Sequence, residues 1–326
     1  MQKSVFLGVD IGGTKVAAGL VNANGEIIYK TRTPMNARGT AAEAMDAVVR
    51  AIDMVLASNP GVAVKGIGVT SPGPLDPFKG VVINPPNLPC WRNFPLGAEV
   101  ERKYSFPTRV DNDANAAGLA EAIWGAARGY STVFYATLGT GVGTGIIFDR
   151  KLYLGRTGAA AEGGHMTIDY HGPVCGCGKK GCVEALASGP AIANRARLKV
   201  KGAGAGGAKM LSLAGGTVER LTSEMVAEAW RAGDPLATEV LRETAEVLAI
   251  WFGNMIDLLD PDVIVVGGGV STLMADWFGG IASMVPKWSV NTRCTEVPIL
   301  QAKYGIDSGV AGAAALCFGT AESAGA

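Results

Sequence analysis

Three apolar runs punctuated by turn residues open the chain. Residues 4–10, 16–21 and 26–32 each read as a strand. The turns Ile11-Gly12-Gly13-Thr14-Lys15 and Asn22-Ala23-Asn24-Gly25 join them into a β-meander. Residues 39–58 repeat Ala, Met, Val and Leu at helical spacing, which predicts an amphipathic helix packed on that sheet. A strand follows at 62–70. Prolines forbid helix through residues 71–77 and 81–91, and the chain returns to the sheet at 104–110. Asp111-Asn112-Asp113-Ala114-Asn115 ends that strand and opens an alanine-rich helix at 116–126.

The pattern then starts again. Strands at 131–138 and 145–149 flank the segment LGTGVGTG, much as strands flank the first glycine turn. This weak internal repeat predicts two similarly built halves, each presenting a Gly-Thr loop. Helices are expected at 184–197, with a bend at Ala187-Ser188-Gly189-Pro190, and at 223–231 and 235–259, the first capped by Thr222-Ser223 and the second opened by Asp234-Pro235. A buried strand at 261–266 runs into Gly267-Gly268-Gly269, and a small-residue helix at 309–318 closes the chain. Residues 200–217 are rich in Gly and Ala and read as a flexible surface insertion, and the tail 319–326 is expected to fray.

The most specific chemistry lies in EGGHMTIDYHGPVCGCGKKGCVE, residues 162–184. His165, Cys175, Cys177 and Cys182 fall within eighteen residues there, taking three of the six cysteines and one of the two histidines. Cys₃His is one of the closed ligand sets of structural Zn²⁺, and the glycines of CGCGKKGC let the chain wrap tightly enough for its sulfurs to converge. A closed set leaves no position for a catalytic water, so the metal would hold a loop. The alternative is three unrelated thiols that happen to be close. Glu162 and Glu184 flank the cluster, and a pinned loop would hold such carboxylates still.

Three glycine-rich turns add a second theme. Gly12 and Gly13, with Thr14 beside them, let backbone N–H groups approach a ligand, as in other phosphate cradles, although the Walker spacing is absent. A tight hairpin turn explains the same residues. Gly139-Thr140-Gly141 repeats the arrangement, and two cradles favour a nucleotide more than either alone. Gly267, Gly268 and Gly269 would let a flat ring lie on bare backbone, or would simply form a strand-to-helix turn. Four polar residues in the five from 111 to 115 exceed what a helix cap needs, at a strand end where α/β proteins bind ligands.

Composition narrows the partners. The chain has 326 residues, enough for two domains, with 48% hydrophobic and 18% charged residues. Lys plus Arg and Asp plus Glu are 29 each, so no positive field is available for nucleic acid or an anionic membrane. The N-terminus enters a strand with no signal-like h-region, and the longest apolar segment, 247–259, is too short to span a bilayer. A cytoplasmic location with reduced thiols is expected.

The motifs GVDIGGTK, SPGP, NPPNLP, DNDANAA, LGTGVGTG, AEGGHMTID, CGCGKKGCVEALASG and DPDVIVVGGGVS occur in the order of the ROK family (repressors, open reading frames and sugar kinases), which the chain resembles end to end. The resemblance is to the kinase members that phosphorylate glucose. It implies an α/β fold of the actin-like ATPase (ribonuclease H-like) type, two lobes with a cleft between them. Residues 1–118 plus 306–326 would form the small lobe and 119–305 the large one, carrying the zinc loop and the insertion near 200–217. It further implies transfer of the γ-phosphate of Mg²⁺-ATP to the 6-hydroxyl of glucose, with Asp113 as the base. Asn112, Glu162, His165 and Glu184, and also Gly73 and Asn87, would hold the sugar. One ring nitrogen of His165 would bind zinc and the other face the sugar. Asp10, Gly12, Gly13, Thr14, Lys15, Gly139, Thr140, Gly141 and Gly267 to Gly269 would hold the nucleotide, Asp10 orienting the Mg²⁺ shell through water. Asp111 is assigned to structure.

Fructose, mannose, N-acetylmannosamine or allose are alternative substrates within the family. The family's sugar-responsive repressors carry a winged-helix segment ahead of the first loop, for which only nine residues precede Asp10 here. Homo-oligomers, dimers or tetramers, are the family habit. One departure stands out. The family's usual Gly-Glu-Ile-Gly-His is Ala161-Glu162-Gly163-Gly164-His165 here, which is expected to change loop stiffness more than chemistry.

Overall fold

The computed structural model describes residues 4–322. The meander forms as β1 (Val5–Ile11), β2 (Lys15–Asn22) and β3 (Ile27–Pro34), antiparallel throughout. Helix α1 (Ala41–Ser58) starts at a capping box, in which the Thr40 hydroxyl accepts from the Glu43 N–H and the Glu43 carboxylate accepts from the Thr40 N–H. Its buried Ala44, Ala47, Val48, Ala51, Ile52 and Val55 recur at three- and four-residue spacing and pack against the sheet core of Leu7, Val9 and Leu20. Strand β4 (Val64–Ser71) runs parallel to β1. The proline-rich stretch holds only the short hairpin of β5 (Leu75–Asp76) and β6 (Val81–Val82).

The strand expected from residue 104 starts later. Tyr104 instead ends a helix, α2 (Leu96–Tyr104), whose Leu96 and Val100 are buried one turn apart. Ser105 stops it in the left-handed region at φ 57°. The Tyr104 hydroxyl bonds the Asp53 carboxylate at 2.8 Å, tying α2 to α1. Strand β7 (Thr108–Asn112) then completes a sheet of order β3-β2-β1-β4-β7.

After α3 (Asp113–Trp124) come β8 (Thr132–Leu138), β9 (Val142–Phe148) and β10 (Lys151–Leu152). The helices α4 (Val183–Ala187) and α5 (Gly189–Gly202) meet at the expected break, where the Ser188 hydroxyl caps α5 through the Ala191 N–H. Residues 200–217, expected to be a flexible surface insertion, carry regular structure. They hold the end of α5 and a short helix, α6 (Ala208–Leu213), because Met210 and Ala214 find buried positions there. Helices α7 (Ser223–Arg231) and α8 (Pro235–Leu259) carry the expected caps, Thr222 and Asp234. The chain ends with β11 (Val263–Gly267), α9 (Gly269–Leu273), α10 (Phe278–Met284), β12 (Ile299–Gln301) and α11 (Ser308–Glu322). Helix α11 thus runs past Phe318 into the tail expected to fray, and residues 323–326 lie outside the described residues.

The second sheet has the order β10-β9-β8-β11-β12. Counted from the first strand of each, both sheets read 3-2-1-4-5, so the repeat seen in the two glycine turns is a repeat of topology. The chain divides into two compact units. The first takes the chain to Ser131, Gly145–Ala161 and everything from Lys303; the second takes Thr132–Thr144 and Glu162–Ala302. This division gives the first unit more chain than a boundary at residue 118 does, because the rest of α3, the end of β9 from Gly145 and β10 fall within it.

In the first unit α11 lies so close on β1 and β4 that only glycine fits beneath it. A methyl at Gly8 would overlap the Val310 carbonyl oxygen, and one at Gly68 the Ala313 carbonyl oxygen. The second unit is centred on Phe134, Trp251, Phe252 and the buried run Val263 to Val266. Among the described residues no helix is long and apolar enough to cross a membrane.

Candidate active site

In the first unit, motifs distant in sequence meet in two pairs. Gly12 donates its N–H to the Lys15 carbonyl at 2.9 Å and closes the β1–β2 turn, and the Thr14 carbonyl accepts from Met35. A methyl at Gly13 would stand 3.1 Å from the Asn87 carbonyl oxygen, so the glycine turn and NPPNLP are neighbours. Likewise the atom nearest to a methyl at Gly73 would be the Asn112 side-chain nitrogen, at 3.9 Å.

The carboxylates of this unit have distinct surroundings. Asp10 is next to last in β1, and its Oδ1 accepts the Thr70 hydroxyl at 2.9 Å. Burial pushes its pKa up, while that bond and the charges of Lys15 and Arg32 pull it down. Asp111 is buried; its Oδ1 accepts from the Asn112 N–H at 2.7 Å and from Asn115 Nδ2 at 3.0 Å. Burial is again the larger influence and raises its pKa. Asn112 is the cap of α3, with Oδ1 accepting the N–H groups of Ala114 at 2.8 Å and Asn115 at 3.4 Å. Its carbonyl oxygen is therefore committed to the helix, and its amide nitrogen is the part that faces Gly73. Asp113, the first residue of α3, is exposed, and its Oδ1 accepts from the Ala114 N–H at 2.8 Å. Of the two aspartates in this motif, Asp111 is buried and Asp113 is exposed.

In the second unit the glycine turn closes through the Gly139 N–H to the Gly141 carbonyl at 2.9 Å, and the Gly139 carbonyl accepts from Gly189 at the start of α5. Thr140 lines a cavity of about 490 Å³ together with Cys175, Glu184 and Arg195. Glu184 lies in α4. One of its oxygens accepts the Val142 N–H at 2.9 Å and the other is 3.6 Å from Cys175 Sγ. Glu162 is exposed, and it precedes a single 3₁₀ turn, Gly163–His165.

His165, Cys175, Cys177 and Cys182 converge, with their ligand atoms all within 4.8 Å of one another. His165 Nδ1 is 3.6 Å from Cys175 Sγ, and the sulfurs of Cys177 and Cys182 are 3.7 Å apart. A tetrahedral Zn²⁺ with its usual bond lengths has S···S edges of about 3.8 Å and N···S edges of about 3.6 Å. The donor set fits that ion in chemistry, and these two edges match its spacing. Burial pushes the Cys175 thiol up to about 12 and raises Cys182 as well. The Lys179 N–H lowers that of the exposed Cys177. The ligating nitrogen of His165 would be Nδ1, which leaves Nε2 as its other polar atom.

The three consecutive glycines are not equivalent. A methyl at Gly267 would press on the Tyr135 hydroxyl at 2.7 Å, and Gly268 holds φ 86° beneath the Leu138 carbonyl. Both are therefore glycine for reasons internal to the second unit. Only Gly269 leaves open space beside its backbone.

Two residues at this site escape the motif reading. Thr144 Oγ1 accepts the Gly163 N–H at 2.9 Å, and Lys179 Nζ donates to the His165 carbonyl at 2.7 Å. The signal for Thr144 was the strand period: Val142 and Thr144 share one face of β9, and both contact the segment between Glu162 and His165.

Similarity to known proteins follows this architecture over its whole length. The chain is 32% identical over 317 residues to a glucokinase of Thermotoga maritima, covering 97% of this chain and 98% of that one. It is 35% identical over 314 residues to an N-acetylmannosamine kinase of Shigella boydii, covering 96% and 98%. Among solved structures, a ROK family glucokinase of Streptomyces griseus in complex with glucose and AMPPNP superposes with a TM-score of 0.80 at 36% identity, covering 96% of this chain and 98% of that one. Residues 6–319 match the ROK family, and with the repeated 3-2-1-4-5 sheets of the actin-like ATPase fold the chain belongs to that family.

Proposed function

We propose that the protein is an ATP-dependent hexose kinase whose preferred acceptor is glucose, giving glucose 6-phosphate. The observation that carries this is the 36% identity, along 96% of the chain, to a glucokinase crystallised with glucose and AMPPNP. In this reading the Asp113 carboxylate takes the proton from the 6-hydroxyl. The oxygen then attacks the γ-phosphorus in line, the bond to the β–γ bridging oxygen breaks, and ADP leaves. Such a transfer asks mainly for positioning and charge stabilisation. Exposure of Asp113 at a helix start supports its role, whereas Asp111 is held by Asn112 and Asn115.

The Asn112 amide nitrogen, Gly73, Asn87, Glu162, His165 Nε2 and Glu184 would hold the sugar. Glu162 and Glu184 would accept from its hydroxyls and disfavour analogues that lack them. Gly12 to Lys15 and Gly139 to Gly141 would cradle the phosphates, and Gly269 is the best placed of its three glycines to pass close to the nucleoside. Mg²⁺ bound with ATP would offset phosphate charge, Asp10 holding its water shell. Zn²⁺ in the Cys₃His cluster would stiffen the loop that carries Glu162 and His165. The reading assigns the reaction to the cytoplasm, where these thiols stay reduced, and to a homo-oligomer that binds no nucleic acid.

A second acceptor, N-acetylmannosamine, is favoured by the 35% identity to a kinase for that sugar. Both readings are tested by measuring kcat/KM with Mg²⁺-ATP against glucose, fructose, mannose, allose and N-acetylmannosamine, then exchanging ATP for ADP or polyphosphate. Preference for glucose is expected. Preference for N-acetylmannosamine would transfer the assignment to that sugar, and no turnover with any hexose would overturn it.

A further inference from the structure

The turn Gly163–His165 needs an acceptor for the backbone N–H at its start, and the residue in the capping position, Glu162, makes no side-chain cap. The acceptor comes from another strand. Thr144, a residue only 3% exposed, takes the Gly163 N–H on its Oγ1 at 2.9 Å. The turn then closes through the His165 N–H to the Glu162 carbonyl at 3.0 Å. The contact is close on every side. A methyl at Gly163 would stand 3.0 Å from Thr144 Oγ1, 3.2 Å from its Cγ2 and 3.5 Å from Trp251 Cζ2, and one at Gly164 would overlap the Val142 carbonyl oxygen.

We infer that Thr144 is a positioning residue for the sugar-binding turn, capping it from β9 so that the Glu162 carboxylate is kept out of that role and directed at substrate. Gly163 eases this approach, since a larger residue would press on Thr144 and make it give way by a few tenths of an ångström. The hydrogen bond offsets the freedom a Gly-Gly pair would otherwise give the turn. This role for Thr144 rests on the proposed hexose kinase reading and lies outside its sugar and zinc residues.

The test compares Thr144→Val with Thr144→Ser in the zinc-loaded protein. Thr144→Val removes the acceptor at nearly constant shape and is expected to raise the KM for glucose about five- to ten-fold. The KM for ATP, the zinc content and kcat should change by less than about two-fold, and Thr144→Ser should restore the wild-type KM. An unchanged glucose KM in Thr144→Val, or an equal rise for glucose and ATP, overturns the inference and leaves the kinase reading intact. Should Thr144→Val fail to fold, Gly163→Ala and Thr144→Ala are measured singly and together by glucose calorimetry. The double variant should bind no worse than the weaker single one, because Thr144→Ala removes the atoms the new methyl meets. Additive losses would overturn the inference. A wild-type protein that neither binds nor phosphorylates any hexose would overturn this inference and the kinase reading together.

Discussion

Glu184 accepts the Val142 N–H at 2.9 Å, which joins the helix after the cysteine cluster to the residue that follows the second glycine turn. A methyl on Gly141 would stand 2.6 Å from the same oxygen. The proposed sugar ligand is thus also an anchor for the proposed phosphate loop. Glu184→Gln keeps an acceptor for Val142 and loses the charge, so its kcat/KM for glucose should fall about 10- to 100-fold with the KM for ATP nearly constant. Glu184→Ala loses both and should raise the ATP KM as well. Equal kinetics for the two variants would show that the Val142 bond has no functional weight.

Asp113→Asn tests the assigned base. The amide oxygen can still accept from the Ala114 N–H, so α3 keeps its start and the melting temperature should be unchanged. The kcat should fall by about 10²- to 10⁴-fold while sugar binding by calorimetry stays within a few-fold. Near-wild-type turnover would remove Asp113 from the chemistry.

Much of this arrangement was legible in the sequence, because its signals are local. Strand periods, the Thr222 and Asp234 caps and the cysteine spacing each depend on neighbours a few residues away. The repeat of LGTGVGTG after DIGGTK anticipated two sheets of one topology. What was missed depends on tertiary partners. Helix α2 was hidden because its stop is a single left-handed Ser105, not a glycine, and because its burial is set by the sheet beneath. Residues 200–217 read as a flexible surface insertion from their glycine and alanine content, yet Met210 finds a fully buried place. Asn112 shows the same limit at atomic scale. Its motif marks it as a ligand, but only coordinates reveal that its oxygen caps α3 and its nitrogen faces Gly73.

The cysteine cluster makes a prediction about metal. Cys177 is the exposed ligand, with its pKa lowered by the Lys179 N–H, and it should be the thiol a chelator-treated protein exposes to alkylation first. Cys177→Ser should bind well under about one zinc per chain and weaken glucose affinity by at least about ten-fold, with ATP affinity little changed. Elemental analysis and calorimetry check both. Unaltered glucose affinity in a zinc-free variant would separate the metal from the sugar site.

Asp111 carries a dependence on pH with a definite sign. Burial raises its folded pKa above the unfolded value, so the folded state binds the proton more tightly. Its contribution is most favourable below the unfolded pKa and is lost as pH rises through the folded one. Asp111→Asn, which keeps an acceptor for the Asn112 N–H, should therefore be more stable than wild type at neutral pH. The advantage should shrink as pH falls to about 4. Denaturant melts at the two pH values check this, and an advantage that grows on acidification would reverse the assignment.

Ala161 holds φ 63°, a left-handed conformation that a side chain with Cβ adopts at a cost of about 1–2 kcal/mol. It immediately precedes Glu162. Ala161→Gly removes that strain, but it also gives the unfolded chain more freedom, which returns about 0.4–1 kcal/mol. The net effect should be a gain of about 0.5–1 kcal/mol, seen as a rise of about 1–3 °C in melting temperature. Because Thr144 caps the turn after Glu162, the extra backbone freedom at 161 should leave the glucose KM within about two-fold of wild type. A lower melting temperature would mean that the Ala161 side chain contributes more by its contacts than its backbone costs. A large rise in KM at unchanged stability would instead mean that the rigidity of Ala161 itself holds Glu162 in place.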